Sequence, residues 1–179
     1  IIVYDNVTAT QSSYQKKWLL HTVNKPKVDG LTILKGSLDN GILESKSDHA
    51  VITNGRGFLR VKTVYPENSV MRLVGGKDYQ YYVETDGDDT ILDGVNFTQG
   101  SSDKSWHDVG MWRIEIQPER KAESDRFLVV MSPSLDYRRY DQVKKIDIDN
   151  LKYLIVDEFQ DISPLRASLI KSLRANSNF

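Results

Sequence analysis

The sequence contains no cysteine and has no excess of either charge. Without cysteine, the chain has no disulfide framework, no thiolate metal site and no thiol nucleophile. Its 24 lysines and arginines nearly balance its 25 aspartates and glutamates, which leaves a net charge of -1. Such a balance gives no overall field that would attract nucleic acid or an anionic membrane, so any polyanion must be bound locally.

Long apolar runs are also absent from the sequence. No run approaches the roughly 20 residues that span a bilayer, so we expect no membrane partner. The first residues, IIVYDNVTAT, have neither the basic region nor the apolar region of a signal peptide. They have the pattern of a strand interior instead, and we therefore expect the chain to be a fragment.

Residues 1–137 consist of short apolar or alternating runs separated by turn residues, a pattern typical of antiparallel strands. In MWRIEIQP, for example, the apolar Trp112, Ile114 and Ile116 alternate with polar residues, so we expect one buried and one solvated face. About ten such runs without an intervening helix predict an all-β fold, an antiparallel β-sandwich. The runs are IIVYDNV, KKWLLHTV, GLTILKG, GILESK, HAVIT, GFLRVKTVYP, SVMRLVGG, YQYYVE, MWRIEIQP and RFLVVM.

Residues 138–179 have a different pattern. LKYLIV is a continuous apolar run that ends in acidic residues, as strands buried on both faces of a parallel sheet do. Ser163 is suited to cap the helix that should follow, and Pro164 to occupy its first position. The sequence therefore predicts a short C-terminal strand-helix tail.

Several phrases of the first region occur in an order that resembles a known family: IIVYDNVTAT, KKWLLHTVNKPKV, RLVGGKDYQYYVE and MWRIEIQPERKAESDRFLVVM. Over residues 1–135 they resemble the C-terminal β-sandwich domain of heparinase II/III-like polysaccharide lyases. The resemblance implies a parent enzyme in which an N-terminal helical domain and the sandwich enclose a cleft for acidic polysaccharide, such as a glycosaminoglycan. The parent would cleave its substrate by β-elimination.

The same resemblance implies that the catalytic Asn, Tyr and His belong to segments that would precede Ile1. We therefore expect residues 1–137 to be a truncated, non-catalytic sandwich without a metal, whose natural partner is the missing helical domain. Acidic polysaccharide is the expected ligand.

The tail resembles a second family. VDEFQDIS, between LKYLI and PLRASLIKSL, resembles motif II, the Walker B region, of UvrD-like superfamily 1 helicases, and most of all the helicase IV branch, over residues 140–179. The resemblance implies that Asp157 is the Mg²⁺-associated acid, that Glu158 is the catalytic base, and that Gln160 and Asp161 complete the Mg-ATP site. The chain lacks the Gly-x-x-x-x-Gly-Lys-Ser/Thr loop that binds the phosphates, so we expect no cofactor and no ATP hydrolysis here.

His21 is the candidate carbohydrate-binding residue of the sandwich. It follows the apolar WLL run, where a neutral imidazole would hydrogen-bond sugar hydroxyls and a protonated one would pair with a uronate or sulfate. The alternative is a strand histidine satisfied by a backbone carbonyl. Trp18, Trp106 and Trp112 would either stack on sugar rings or belong to the core, and we expect Trp112 in the core.

Five basic residues would either form a patch that faces a polyanion or lie on solvated strand faces, and we expect the second arrangement. They are Lys16, Lys17, Arg56, Arg60 and Lys62.

Three functions remain open at this point. The first is the non-catalytic sandwich of a polysaccharide lyase fused to a partial helicase ATPase segment, a chimera. The second is a natural fusion in which the sandwich is a carbohydrate-binding or scaffolding module. The third is a fragment of a DNA helicase with an accessory β domain, although the absence of a basic stripe makes nucleic acid an unfavourable partner. The lyase parent would be secreted or periplasmic and the helicase parent cytoplasmic, so localisation stays open.

Overall fold

The computed structural model describes residues 1–84, 94–97 and 110–135. These residues belong to the first of two compact units of the chain, Ile1–Asp141. The predicted strand-helix tail, including the motif residues Asp157, Glu158, Gln160 and Asp161, lies outside the described residues.

The described residues form strands that are connected by turns and loops. Within these ranges no helix occurs that is long and apolar enough to cross a membrane. The strands are β1 (Ile2–Thr8), β2 (Trp18–Thr22), β3 (Thr32–Gly36), β4 (Gly41–Ser45), β5 (His49–Asn54), β6 (Gly57–Tyr65), β7 (Ser69–Gly75), β8 (Trp112–Pro118) and β9 (Ser124–Ser134).

Two antiparallel sheets are built from these strands. Sheet A has four strands in the order β1-β9-β6-β5, and sheet B has five in the order β2-β8-β7-β4-β3. Every pair of neighbours is antiparallel. The chain passes from one sheet to the other four times, at β1–β2, β4–β5, β6–β7 and β8–β9. The predicted all-β antiparallel sandwich is thus confirmed for the described residues.

The main core draws its side chains from both sheets. In sheet B, Leu43, Leu73 and Ile114 are aligned across β4, β7 and β8 and are fully buried. In sheet A, Phe127 and Val129 of β9 point into the same cluster. Each such side chain stabilises the fold by roughly 1.5–3 kcal/mol when it is removed from water.

Trp112 is 5% exposed and belongs to this core, as the alternation in β8 predicts. It lies opposite Gly75 of β7. A Cβ atom on Gly75 would lie 2.4 Å from the carbonyl oxygen of Met111 and 2.6 Å from the indole ring, so only glycine fits there. The next residue, Gly76, has a φ of 84°, which turns the chain out of the strand.

The strand predicted for YQYYVE is wrong, because Tyr79–Glu84 begins with consecutive turns. Gly76 and Tyr79 accept hydrogen bonds through their carbonyl oxygens from the backbone amides of Tyr79 and Tyr82, at 3.0 and 3.2 Å. In the described residues, the strand-like pairing of this segment is an isolated bridge between Tyr82 and Asn96. The Tyr82 ring is 6% exposed and packs on the outer side of sheet B, so burial of the ring outweighs the strand propensity of the segment.

Candidate functional site

The outer face of sheet B is the first candidate surface. Along β8, Arg113, Glu115 and Gln117 point away from the main core, and this face was expected to be solvated. That expectation is wrong for two of them, because Glu115 is 2% and Gln117 is 5% exposed. Two buried polar side chains on an outer face require partners, and both have them.

Glu115 is held by two cations. Arg113 Nε donates a hydrogen bond to its Oε1 at 2.6 Å, and Lys17 Nζ forms an ion pair with its Oε2 at 3.1 Å. Burial alone would raise the pKa of the carboxyl, but the charges of Lys17 and Arg113 outweigh burial and hold the pKa below its usual value. Glu115 is therefore ionised at neutral pH and links β8 to the segment before β2.

A second set of ion pairs is centred on β7, the strand next to β8 in sheet B. Arg72 on β7 is in register with Glu115, and its guanidinium points to two other carboxylates. Arg72 Nε donates to Glu44 Oε2 at 3.2 Å, and its Nη1 donates to Glu84 Oε2 at 3.3 Å. We call these two linked sets the ladder face, whose charged members are Lys17, Arg113, Glu115, Arg72, Glu44 and Glu84. The three cations and three carboxylates cancel, and most of their side chains are fixed by their partners.

His21 lies at the margin of the ladder face. It is exposed on the edge strand β2, in register with Arg113. A Cβ on Gly110 would lie 3.3 Å from the His21 Cβ, so the absence of a side chain at Gly110 leaves room for the two segments to approach. The imidazole makes no hydrogen bond to another described residue, so within this part of the chain the backbone-carbonyl alternative finds no partner. His21 is therefore exposed to solvent, and its cross-strand neighbour is Arg113.

The tryptophans are the other aromatic candidates, and the two that the structure describes are not placed like His21. Trp18 is half-buried and packs against the main core, and Trp112 lies within it. Trp106 lies outside the described residues. Neither described tryptophan is placed as an open stacking platform.

The five basic residues do not form one patch. Lys16 is 7% exposed, so it lies on no solvated face. Its Nζ forms an ion pair with Asp125 Oδ2 at 3.0 Å and donates to the carbonyl of Ala122. Lys17 belongs to the ladder face of sheet B. Burying Lys16 is tolerated because its charge is paired and hydrogen-bonded.

The remaining three basic residues are associated with sheet A. Lys62 on β6 forms an ion pair with Asp48, whose carboxylate also lies 3.1 Å from His49 Nδ1. Arg60 is half-buried on the same strand, and Arg56 is exposed in the β5–β6 turn. The five side chains are thus distributed between the two sheets, and Lys16, Lys17 and Lys62 are already paired with carboxylates.

A concave site occurs at one end of sheet A and sheet B, and we call it the end pocket. It has a volume of about 440 Å³ and is formed by two of the four connections that cross between the sheets, β6–β7 and β8–β9, with the start of β9. Its lining consists of Tyr65, Pro66, Glu67, Asn68, Pro118, Arg120, Ala122, Ser124, Asp125 and Arg126. Across the described ranges, no three histidine or acidic side chains lie together as metal ligands.

Sequence reasoning proposed His21 as a candidate and did not anticipate the ladder face or the end pocket. The alternation of β8 places Arg113 and Glu115 on one side, yet nothing in the pattern indicates that Lys17 would come to pair with Glu115. The end pocket joins turns that are about fifty residues apart in the chain. Only the strand order of the two sheets brings them together.

Comparison with known proteins adds no relative. No protein-family model matches the chain, and no curated protein matches it. The resemblances to lyases and helicases therefore rest on the residues quoted above and stay predictions.

Proposed function

We propose that residues 1–135 act as a non-catalytic sandwich of the heparinase II/III-like lyase type that binds acidic polysaccharide, fused to a partial helicase ATPase segment. The observation that carries the proposal is the ladder face with His21 at its margin. Support also comes from the position of the sandwich, because its two antiparallel sheets occupy the stretch of chain over which the phrases resemble that family.

The ladder face suits an extended, hydroxyl-rich anion for a physical reason. Its cations are already oriented by carboxylates, so little side-chain entropy remains to be lost when a ligand arrives. Lys17 and Arg113 retain 22% and 12% side-chain exposure, which leaves N–H groups for a ligand. His21 adds a ring that donates or accepts a hydrogen bond when neutral and carries a positive charge when protonated.

Binding without cleavage is the expected behaviour. β-Elimination requires a base at the proton α to the uronate carboxylate and a group that stabilises the resulting anion. By the resemblance, the Asn, Tyr and His that supply these functions belong to the helical part of the parent enzyme. His21 and its cross-strand neighbour Arg113 would contact a sugar carboxylate, and among the described residues no hydrogen bond joins His21 to a second acid-base group.

The helicase alternative depends on the tail. Asp157 and Glu158 would need a phosphate loop to act on Mg-ATP, and the sequence has none. A helicase accessory role for the sandwich would also require a basic nucleic-acid surface. The ladder face is neutral in sum and offers no such basic surface, and binding of an acidic polysaccharide there would depend on hydrogen bonds and on the local charges of Lys17 and Arg113.

Calorimetric titration of the whole chain tests the proposal. We expect heparin or alginate to bind at low salt, to bind more weakly as salt is added, and neutral dextran to give no heat. No heat from any acidic polysaccharide would contradict the proposal. We expect no absorbance from unsaturated uronates in the same mixtures, and appreciable product would refute the non-catalytic part.

A further inference from the structure

The end pocket shares no lining residue with the ladder face, and its lining is held by several hydrogen bonds. Its two connections are tied together where the backbone amide of Glu119 donates to the carbonyl of Asn68 at 3.1 Å. On the β9 side, Thr8 Oγ1 donates to Ser124 Oγ at 3.1 Å. These contacts, made by residues on β1, β9 and both connections, fix the shape of the pocket before any ligand is present.

A buried ion pair supports the part of the end pocket that Ala122 and Asp125 line. Lys16 Nζ lies 3.0 Å from Asp125 Oδ2, and the two side chains are only 6% and 13% exposed. Lys16 also donates to the carbonyl of Ala122, which lines the pocket with Asp125. The negative charge of Asp125 is therefore neutralised, and it does not oppose an anion in the pocket.

The remaining charges favour an anion. Arg120 and Arg126 are both exposed at the pocket, and because Asp125 is paired with Lys16, their two positive charges face one remaining lining carboxylate, that of Glu67. Guanidinium groups bind carboxylates through paired hydrogen bonds, and two of them at one pocket favour a carboxylated ligand over a neutral one.

The other lining residues select for a ring that carries hydroxyl groups. Tyr65 is 38% exposed and Pro66 follows it, and together they offer an apolar surface against which a sugar ring can lie. The side-chain amide of Asn68 supplies an acceptor and a donor for hydroxyls. A volume of about 440 Å³ is within the range of small-ligand sites and is too small for an extended polymer.

We propose that the end pocket binds a single carboxylated sugar unit, with the carboxylate on Arg120 and Arg126 and the ring against Tyr65. It would hold a free sugar acid or the end of a chain, whereas the ladder face would hold a chain along its length. The site is argued from the pocket alone, and only its use on polysaccharide ends rests on the proposed function.

The test uses glucuronate as the probe, with glucose and acetate as comparisons, followed by calorimetry and amide NMR shifts on the whole chain. We expect glucuronate to bind in the millimolar range or tighter, at least tenfold more tightly than either comparison. Arg120→Ala and Arg126→Ala should each weaken glucuronate binding about tenfold. Arg56→Ala removes the same exposed side chain at the opposite end of β6 and should change nothing.

Several results would overturn this proposal. They are no glucuronate binding, equal binding of acetate, or an equal loss in Arg56→Ala, which would indicate only general charge attraction. Failure here is distinguishable from failure of the proposed function. If glucuronate binds but no polysaccharide does, the ladder-face proposal is wrong and the end pocket stands, and the reverse result eliminates the end pocket alone.

Discussion

The outer faces of the two sheets differ, although their strands have similar alternation in the sequence. On sheet B, the outward Val74 and Ile42 are 0% and 2% exposed. On sheet A, the outward Ile2 and Tyr4 are 72% and 40% exposed. Strand alternation therefore predicts which side chains share a face, and it does not predict whether a second layer covers that face.

The covering layer on sheet B can be identified for part of the face. Tyr82 packs on Ile42 and Val74, with Tyr79 beside it at a ring-centroid distance of 5.2 Å. Lys35 Nζ lies 4.7 Å from the centroid of the Tyr82 ring, a cation–π contact. Sheet B thus has a small second core outside the sandwich, next to the buried ion pairs of the ladder face.

The largest expected effect comes from breaking those ion pairs. Glu115→Gln would leave Lys17 and Arg113 without their shared anion in a largely buried setting, and we expect the free energy of unfolding to fall by about 3 kcal/mol. Urea denaturation measures this. Glu123→Gln alters an exposed side chain immediately before β9 and should change stability by less than about 0.5 kcal/mol. If both substitutions lowered the free energy of unfolding by the same small amount, the ladder face would be no more buried than the exposed side chains of sheet A.

A matched pair of valines tests the apolar side of the same comparison. Val74→Ala should destabilise the protein by about 2 kcal/mol, because two buried methyl groups and their contacts are lost. Val130 points outward from sheet A and is half-buried, so Val130→Ala should cost less than about 1 kcal/mol. Thermal or urea unfolding of both variants gives the two values. If Val130→Ala lowered the free energy of unfolding more than Val74→Ala did, the outer face of sheet A, and not that of sheet B, would be the covered one.

The smallest expected effect is a dependence on pH. The pKa of Glu115 in the folded protein lies below its ordinary value of 4.5, so its stabilisation is present above that value and is lost as the pH falls through the folded pKa. The stability difference between the native protein and Glu115→Gln should therefore shrink on acidification. Urea titrations at several pH values measure it, and a difference that stayed constant into strongly acidic solution would contradict the assignment.

The parts of the fold that local patterns encode could be predicted from the sequence. Nine of the ten predicted runs coincide with strands in the described residues, and the core position of Trp112 follows from the alternation of β8. YQYYVE failed because its aromatic residues have high strand propensity, while the turn after Gly76 and the burial of Tyr82 decide its structure.

The candidate sites were less predictable, because long-range pairing forms them. The exposure of His21 follows from β2 being an edge strand, which no local pattern indicates. Lys16 resembles a solvated lysine in sequence, yet Asp125 and the carbonyl of Ala122 bury it. The ladder face and the end pocket depend on strand order. The sequence therefore contains their residues but does not show which of them come together in the fold.

The central claim is that the margin of the ladder face contacts acidic polysaccharide, and His21 offers the most direct test. Calorimetric titration with heparin should give an affinity about fivefold weaker for His21→Ala, because one hydrogen bond or charge contact is lost. His49→Ala removes an exposed strand histidine from sheet A and should bind like the native protein. Equal affinities for all three proteins, or an equal loss in both variants, would contradict the account.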